Sequence, residues 1–303
     1  MSSPSFTRIG TATQYDSAVR NISARQSSLA SLQENLTSGK RVLRASDDPV
    51  GAAQAERALT RIGRIQTEQR ALDVQRSAVA QAESSLGDAV GLVQEMRELV
   101  VSAGNGTHSA ADRQTIAQQI QGLREQLLVV SNRKDSNGAP LLASLGSAAA
   151  PFDGTANSFS GLPGQAAASD VSLPGALDGH AAYRISSTEN IFDAIDAAIA
   201  GIGSAPNSAA AATAVSTALG KFDQGMERLQ SVRGHAGELL NRADRITGDQ
   251  EKRAIELEAD RSRAEDLDLL KGISDFQGQQ VGYQAALQSY AMVQKLSLFN
   301  YLS

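Results

Sequence analysis

The side chains with the widest chemical repertoire in this chain are three histidines, His108, His180 and His235, and one adjacent carboxylate pair, Asp47-Asp48. Imidazoles three or four residues apart on one helix face could hold a divalent cation, and two carboxylates in different surroundings could divide acid and base work. Neither pattern is built here. No histidine has a second histidine or an obviously co-facial carboxylate at helical spacing. Asp112 follows His108 by four residues, but Ser109-x-x-Asp112 reads better as a capping box opening a helix. Asp48-Pro49 likewise reads as an N-cap followed by proline at the first helical position. With no cysteine, the chain has no disulfide, thiolate metal site, redox pair or Cys nucleophile. It has no phosphate-binding glycine loop and no G-x-S-x-G elbow; Gly201-Ile202-Gly203 reads as a helix end. The basic cluster Lys40, Arg41 and Arg44 has no interleaved aromatic residue, and the net charge is −5. That combination suits a solvated loop or ion pairing better than nucleic acid. No catalytic residue, no metal and no cofactor is therefore expected.

The elements that would carry such residues are helical. From Tyr15, steps of three and four give Tyr15, Ala18, Ile22, Arg25, Leu29, Leu32 and Leu36, one apolar helix face, which Gly39 ends. A second, longer helix follows Pro49. Its positions 62, 65, 69, 72, 76, 79, 83, 86, 90, 93, 97 and 100 read as a coiled-coil seam interrupted by Gln69, Arg76, Glu83 and Arg97 as polar register markers. It stops at Gly104-Asn105-Gly106. A third helix carries Ile116, Ile120, Leu123, Leu127 and Val130. Residues 136–183 then hold only three charged side chains and four of the seven prolines, which predicts a small β-rich or irregular insertion. Helix resumes with Ile191, Phe192, Ile195, Ile199 and Ile202, and again with Val215, Leu219, Phe222, Met226, Leu229, Ala236 and Leu240.

The C-terminal tract changes character. Residues 241–271 carry 16 charged side chains, and residues 272–303 carry two. Phe276, Tyr283 and Tyr290 lie one heptad apart, with Ile273, Gln280 and Leu287 beside them. Five of the chain's seven Phe and five Tyr fall in this last stretch. The N-terminal seam, even fully buried, does not offset the conformational entropy of ordering its helix. The aromatic C-terminal stretch is its natural partner, but two helices still make a thin core. The expected fold is mainly α: a long antiparallel helical bundle or coiled coil formed by both chain ends, with a small inserted domain. The predicted interface residues are Ile22, Leu29, Leu32, Leu36, Phe276, Tyr283, Leu287, Tyr290, Leu298 and Phe299. They are expected to be covered by copies of the same chain, in a heterologous contact. No apolar run approaches the roughly 18 residues of a membrane span, and Met1–Ile9 has no charged segment followed by an apolar block. No membrane insertion and no cleaved secretory signal are expected.

These segments resemble the flagellin superfamily over nearly all of the helical length. The N-terminal match is Leu32-Gln33-Glu34-Asn35-Leu36-Thr37-Ser38-Gly39-Lys40-Arg41-Val42, then Ser46-Asp47-Asp48-Pro49-Val50-Gly51-Ala52-Ala53. Met96-Arg97-Glu98-Leu99-Val100 and Asp112-Arg113-Gln114-Thr115-Ile116-Ala117 continue it. Arg263-Ala264-Glu265-Asp266-Leu267-Asp268, Gln284-Ala285-Ala286-Leu287-Gln288-Ser289 and Leu296-Ser297-Leu298-Phe299-Asn300-Tyr301-Leu302 match at the other end. The short length and the Leu-Phe-Asn-Tyr-Leu ending are more like the hook-associated members than the filament flagellins. The resemblance implies a structural, extracellular part of the bacterial flagellum at the junction of hook and filament, exported unfolded by the type III apparatus. It implies an axial coiled coil of residues 1–40 and 268–303, an α-helical rod of 41–135 and 186–267, and an outward-facing insertion at 136–185. The implied partners are copies of itself, the first hook-associated protein, flagellin, and an export chaperone on the C-terminal segment. A short filament flagellin, or a cytoplasmic coiled-coil adaptor, are the rival expectations.

Overall fold

Local chemistry sets several of the helix ends. The computed structural model describes residues 11–135, 137–143, 150–154, 157–160, 169–174 and 176–302, with side chains at 11, 12, 14 and 293–302 outside the description. In order these form α1 (Thr11–Ser38), α2 (Pro49–Ala103), α3 (Ala110–Ser131), β1 (Phe152–Asp153), β2 (Ser158–Phe159), α4 (Gly179–Tyr183), α5 (Ile191–Gly203), α6 (Ser208–Glu265) and α7 (Leu269–Leu302). Gly39 ends α1 at φ +69°, a left-handed conformation that a side chain would strain. Pro49 opens α2, and the predicted Ser109–Asp112 capping box opens α3. Asn190 and Asp193 form a second box at α5. The fold is mainly α, with one two-stranded antiparallel ladder among the described residues, pairing Phe152 with Phe159 and Asp153 with Ser158. No helix among the described residues is long and apolar enough to cross a membrane.

The chain divides into two compact units, Met1–Arg64 with Arg253–Ser303, and Ile65–Lys252. The core of the second unit is a heptad seam between the middle of α2 and the first half of α6. On α2 the buried positions are Leu72, Val79, Leu86, Val93 and Val100, alternating with Ala82, Ala89, Met96 and Ala103. This corrects the sequence reading on one row: 76, 83, 90 and 97 flank the seam, and alanines with one methionine fill its second row. On α6, Phe222, Leu229, Ala236 and Ala243 are fully buried at seven-residue steps. The interruptions do set register. Arg76 pairs with Asp244 at 3.0 Å, Glu83 with Arg233 at 2.6 Å and Arg97 with Asp223 at 2.8 Å. As the α2 number rises the α6 number falls, so the two segments run antiparallel.

The described part of residues 136–185 is irregular apart from the ladder and α4. It packs into the same core through Leu141, Leu142, Phe152, Leu173, Leu177 and Tyr183. The Phe152 ring lies 5.2, 4.8 and 5.5 Å from Phe159, Tyr183 and Phe192, an edge-on and tilted aromatic cluster. Arg124 of α3, nearly buried, braces the turn between the strands against α5. Its Nη2 donates to Gly154 O, Asn157 Oδ1 and Asp196 Oδ2.

Candidate assembly interface

The first unit holds the predicted interface residues. α1 and α7 pack together as an antiparallel pair, and three contacts set the register. The rings of Tyr15 and Tyr290 lie 5.6 Å apart. Arg25 Nη1 reaches the place where a Gly282 side chain would begin, 2.6 Å from it. Leu36 Cδ2 stands 3.1 Å from the equivalent point on Gly272. The two glycines let the helices approach; sequence reasoning passed them over, since Gly278 on the same helix looks alike and meets nothing. The Tyr15 hydroxyl beside Tyr290 holds that phenol above its ordinary value.

Ile22, Leu29, Leu32 and Leu36 on α1 and Phe276, Tyr283 and Tyr290 on α7 are all half-buried. Leu287 keeps 41% of its surface exposed. Leu298 and Phe299 lie on α7, but their side chains fall outside the described residues. The pairing thus covers only one side of each seam residue. Away from α1, α7 also exposes Leu270, Val281 and Met292 at eleven-residue steps, with Ile273 next to them. Leu270 is 83% exposed. The free chain therefore leaves a series of apolar side chains in water along α7, the kind of surface that marks a contact with another protein.

A compact knot ties this pair to the starts and ends of its neighbours. Residues 39–48 cap the C-terminus of α6 from outside: Arg41 N and Val42 N donate to Glu265 O at 2.7 and 3.2 Å, and Arg41 Nη2 donates to Ala264 O at 2.7 Å. Leu267 N donates to Gly39 O at 2.9 Å, and Lys40 Nζ pairs with Glu265 at 3.1 Å. These contacts satisfy carbonyls that a helix end leaves without partners. Gly51 is needed here, since a side chain would meet Asp48 Oδ2 at 2.7 Å and Ala264 O at 3.0 Å. The Lys40, Arg41 and Arg44 cluster is thus spent within the chain, on Glu265, Asp48 and Glu34.

Asp47 and Asp48 cap rather than catalyse. Asp47 Oδ2 accepts from Leu43 N and Arg44 N, and Asp48 Oδ1 accepts from Val50 N and Gly51 N. The Arg44 amide holds Asp47 below the ordinary carboxylate value of 3.8, and the Gly51 amide with the Arg41 guanidinium does the same for Asp48. A carboxylate depressed in the folded state contributes stability that is complete above its unfolded value and is lost as pH falls through the folded one. The amide signals of Leu43, Arg44, Val50 and Gly51 are therefore expected to hold steady down to about pH 4 and to collapse only below it. A midpoint well above that range, followed by NMR, would contradict this assignment.

Of the histidines, His235 does find a carboxylate three residues on, Glu238 at 3.6 Å, in an exposed surface contact. His180 lies against the Phe159 ring at 5.5 Å. Among the described residues no three His, Cys, Asp or Glu side chains gather as a metal site would require.

Comparison with known proteins places this geometry in context. Residues 9–146 match the family described as the bacterial flagellin N-terminal helical region. Flagellar hook-associated protein 3 of Salmonella typhimurium is 28% identical, over 96% of this chain and 98% of its own length. A flagellin of Bacillus subtilis is also 28% identical, over 88% of this chain and 90% of its own. A solved structure of a putative flagellar hook-associated protein from Vibrio parahaemolyticus shares the fold with a TM-score of 0.66 at 18% identity, covering 73% of this chain and all of that one.

Proposed function

We infer, from a chain that carries the bacterial flagellin N-terminal helical region and is like hook-associated protein 3 along nearly its whole length, that it is a structural component of the bacterial flagellum, forming the junction between hook and filament. The observation that carries the mechanism is the apolar band left on the α1–α7 pair. A pair of helices with half-buried Ile22, Leu29, Leu32, Leu36, Phe276, Tyr283 and Tyr290 gains its remaining burial from the same pair in neighbouring copies. Repeated head to tail, that contact builds a ring on a helical lattice. The work of the protein is assembly, not catalysis. In the assembled state the α1–α7 pair lines the axis. The ring stands between the first hook-associated protein and flagellin. Before assembly the chain is exported through the flagellar type III apparatus without a cleaved signal, and a chaperone covers the C-terminal band.

The full-length similarity to Bacillus subtilis flagellin favours one second reading, a short filament flagellin. Stoichiometry separates the two. Immunogold labelling of detached flagella is expected to mark a single band at the hook–filament boundary. Label along the filament would establish the second reading, and label confined to the cytoplasm would overturn both.

A further inference from the structure

The chain contains two Asn-Gly steps, Asn105-Gly106 and Asn137-Gly138, both in exposed turns. Asn-Gly is the step at which a side-chain amide is easily attacked by the next backbone nitrogen, because glycine places no Cβ in the way. The structure treats the two steps differently. The Gly138 N–H is engaged, donating to Asp135 O at 3.0 Å. The Asp135 carboxylate also accepts from Asn137 N and Ala139 N, so a negative charge sits inside that turn. Removing a proton from Gly138 N is opposed on both counts. At the first step, Gly106 N has no hydrogen-bond partner among the described residues, and neither does the side-chain nitrogen Asn105 Nδ2, while the backbone Asn105 N donates to Ser102 O at 3.1 Å. The Asn105 side-chain oxygen accepts from Thr107 N at 3.2 Å and from Thr107 Oγ1 at 3.0 Å. Those two donors draw electrons from Cγ and stabilise charge that develops on Oδ1, as an oxyanion hole does. Two of the other asparagines are held by their side chains. Asn157 is bound by Arg124 and Asp196, and Asn132 is bound to Phe152.

We propose that Asn105 is the spontaneous deamidation site of this chain, selected over Asn137 by the hydrogen bonding of its turn. Hydroxide takes the Gly106 amide proton. The nitrogen then forms a bond to Asn105 Cγ, and the tetrahedral intermediate expels Nδ2 as ammonia after protonation by water, leaving a five-membered imide. Water opens that ring at either carbonyl, giving aspartate or isoaspartate. The net change is amide plus water to carboxylate plus ammonium, with no oxidation or reduction. The product places a negative charge just past the C-terminal end of α2, where the helix dipole disfavours it. The isoaspartate form also lengthens the backbone of the short turn into α3. The inference stands whichever flagellar role the chain has.

The test is peptide mapping by mass spectrometry of the purified full-length chain, aged in mildly alkaline buffer with and without denaturant. Folded chain is expected to convert Asn105 about tenfold faster than Asn137, the rate equivalent of one hydrogen bond to be broken at Gly138. In denaturant the ratio falls towards one. Thr107→Val is expected to slow Asn105 severalfold in the folded chain and to leave Asn137 unchanged. Equal conversion in the folded chain, Asn137 converting first, no conversion at either site, or a preference that survives denaturant would each overturn the proposal.

Discussion

A chain carrying Leu287→Asp should fold and stay in solution as the unmodified chain does, yet be absent from assembled flagella. In the free molecule Leu287 is 41% exposed, on a helix face that α1 leaves open. An aspartate there meets water, and exposed substitutions of this kind change stability by about 0.5 kcal/mol. In the proposed assembly the same position lies between apolar helices of adjacent copies. A carboxylate buried there without a partner costs several kcal/mol per contact, and the ring repeats the contact in every subunit. Helicity of the purified variant by circular dichroism, and immunoblotting of sheared flagella, read the two halves separately. Normal filaments with the variant at its usual level would show that the α7 face carrying Leu287 is not an assembly surface.

Phe222→Ala is the expected extreme in the other direction, a change that damages the molecule before any partner is met. The ring is fully buried on α6, on the heptad row of Leu229 and Ala236 and in the core that Leu86 and Val93 of α2 share. Removing a phenyl group from such a site costs about 3–5 kcal/mol, from lost burial and from the cavity left behind. Denaturant unfolding is expected to show a midpoint lowered by that free energy divided by the slope, with the slope itself little changed. A loss under about 1.5 kcal/mol would mean that the seam closes over the gap more freely than a packed core does.

The positions that the sequence disclosed most clearly are those where one residue type has few alternatives. Gly39 ends α1, Asp48 and Pro49 open α2, and Ser109 with Asp112 opens α3, each as read from residue identity alone. Large aliphatic residues at 72, 79, 86, 93 and 100 gave one row of the α2 seam correctly. The other row was misplaced because it is mostly alanine. Alanine is common on every face of these helices, so hydropathy cannot tell a buried one from an exposed one. Charged Arg76, Glu83 and Arg97 looked like interruptions of the seam because their partners, Asp244, Arg233 and Asp223, lie far away in sequence. The knot at 39–48 was legible as a loop but not as a cap for α6, since its donors serve carbonyls more than 200 residues onward. Within the interface, the aromatic heptad on α7 was plain, while Gly272 and Gly282 signal helix contact only once a partner is in place.

The two periodicities on α7 pull in opposite senses. Phe276, Tyr283 and Tyr290 repeat every seven residues toward α1, and a strict seven-residue repeat winds helices around one another to the left. Leu270, Val281 and Met292 repeat every eleven on the open side, and that repeat winds to the right. An undistorted helix lies between the two. In the proposed assembly, where copies of the chain cover the open side as well, the two opposed windings would balance and hold α7 near its undistorted pitch.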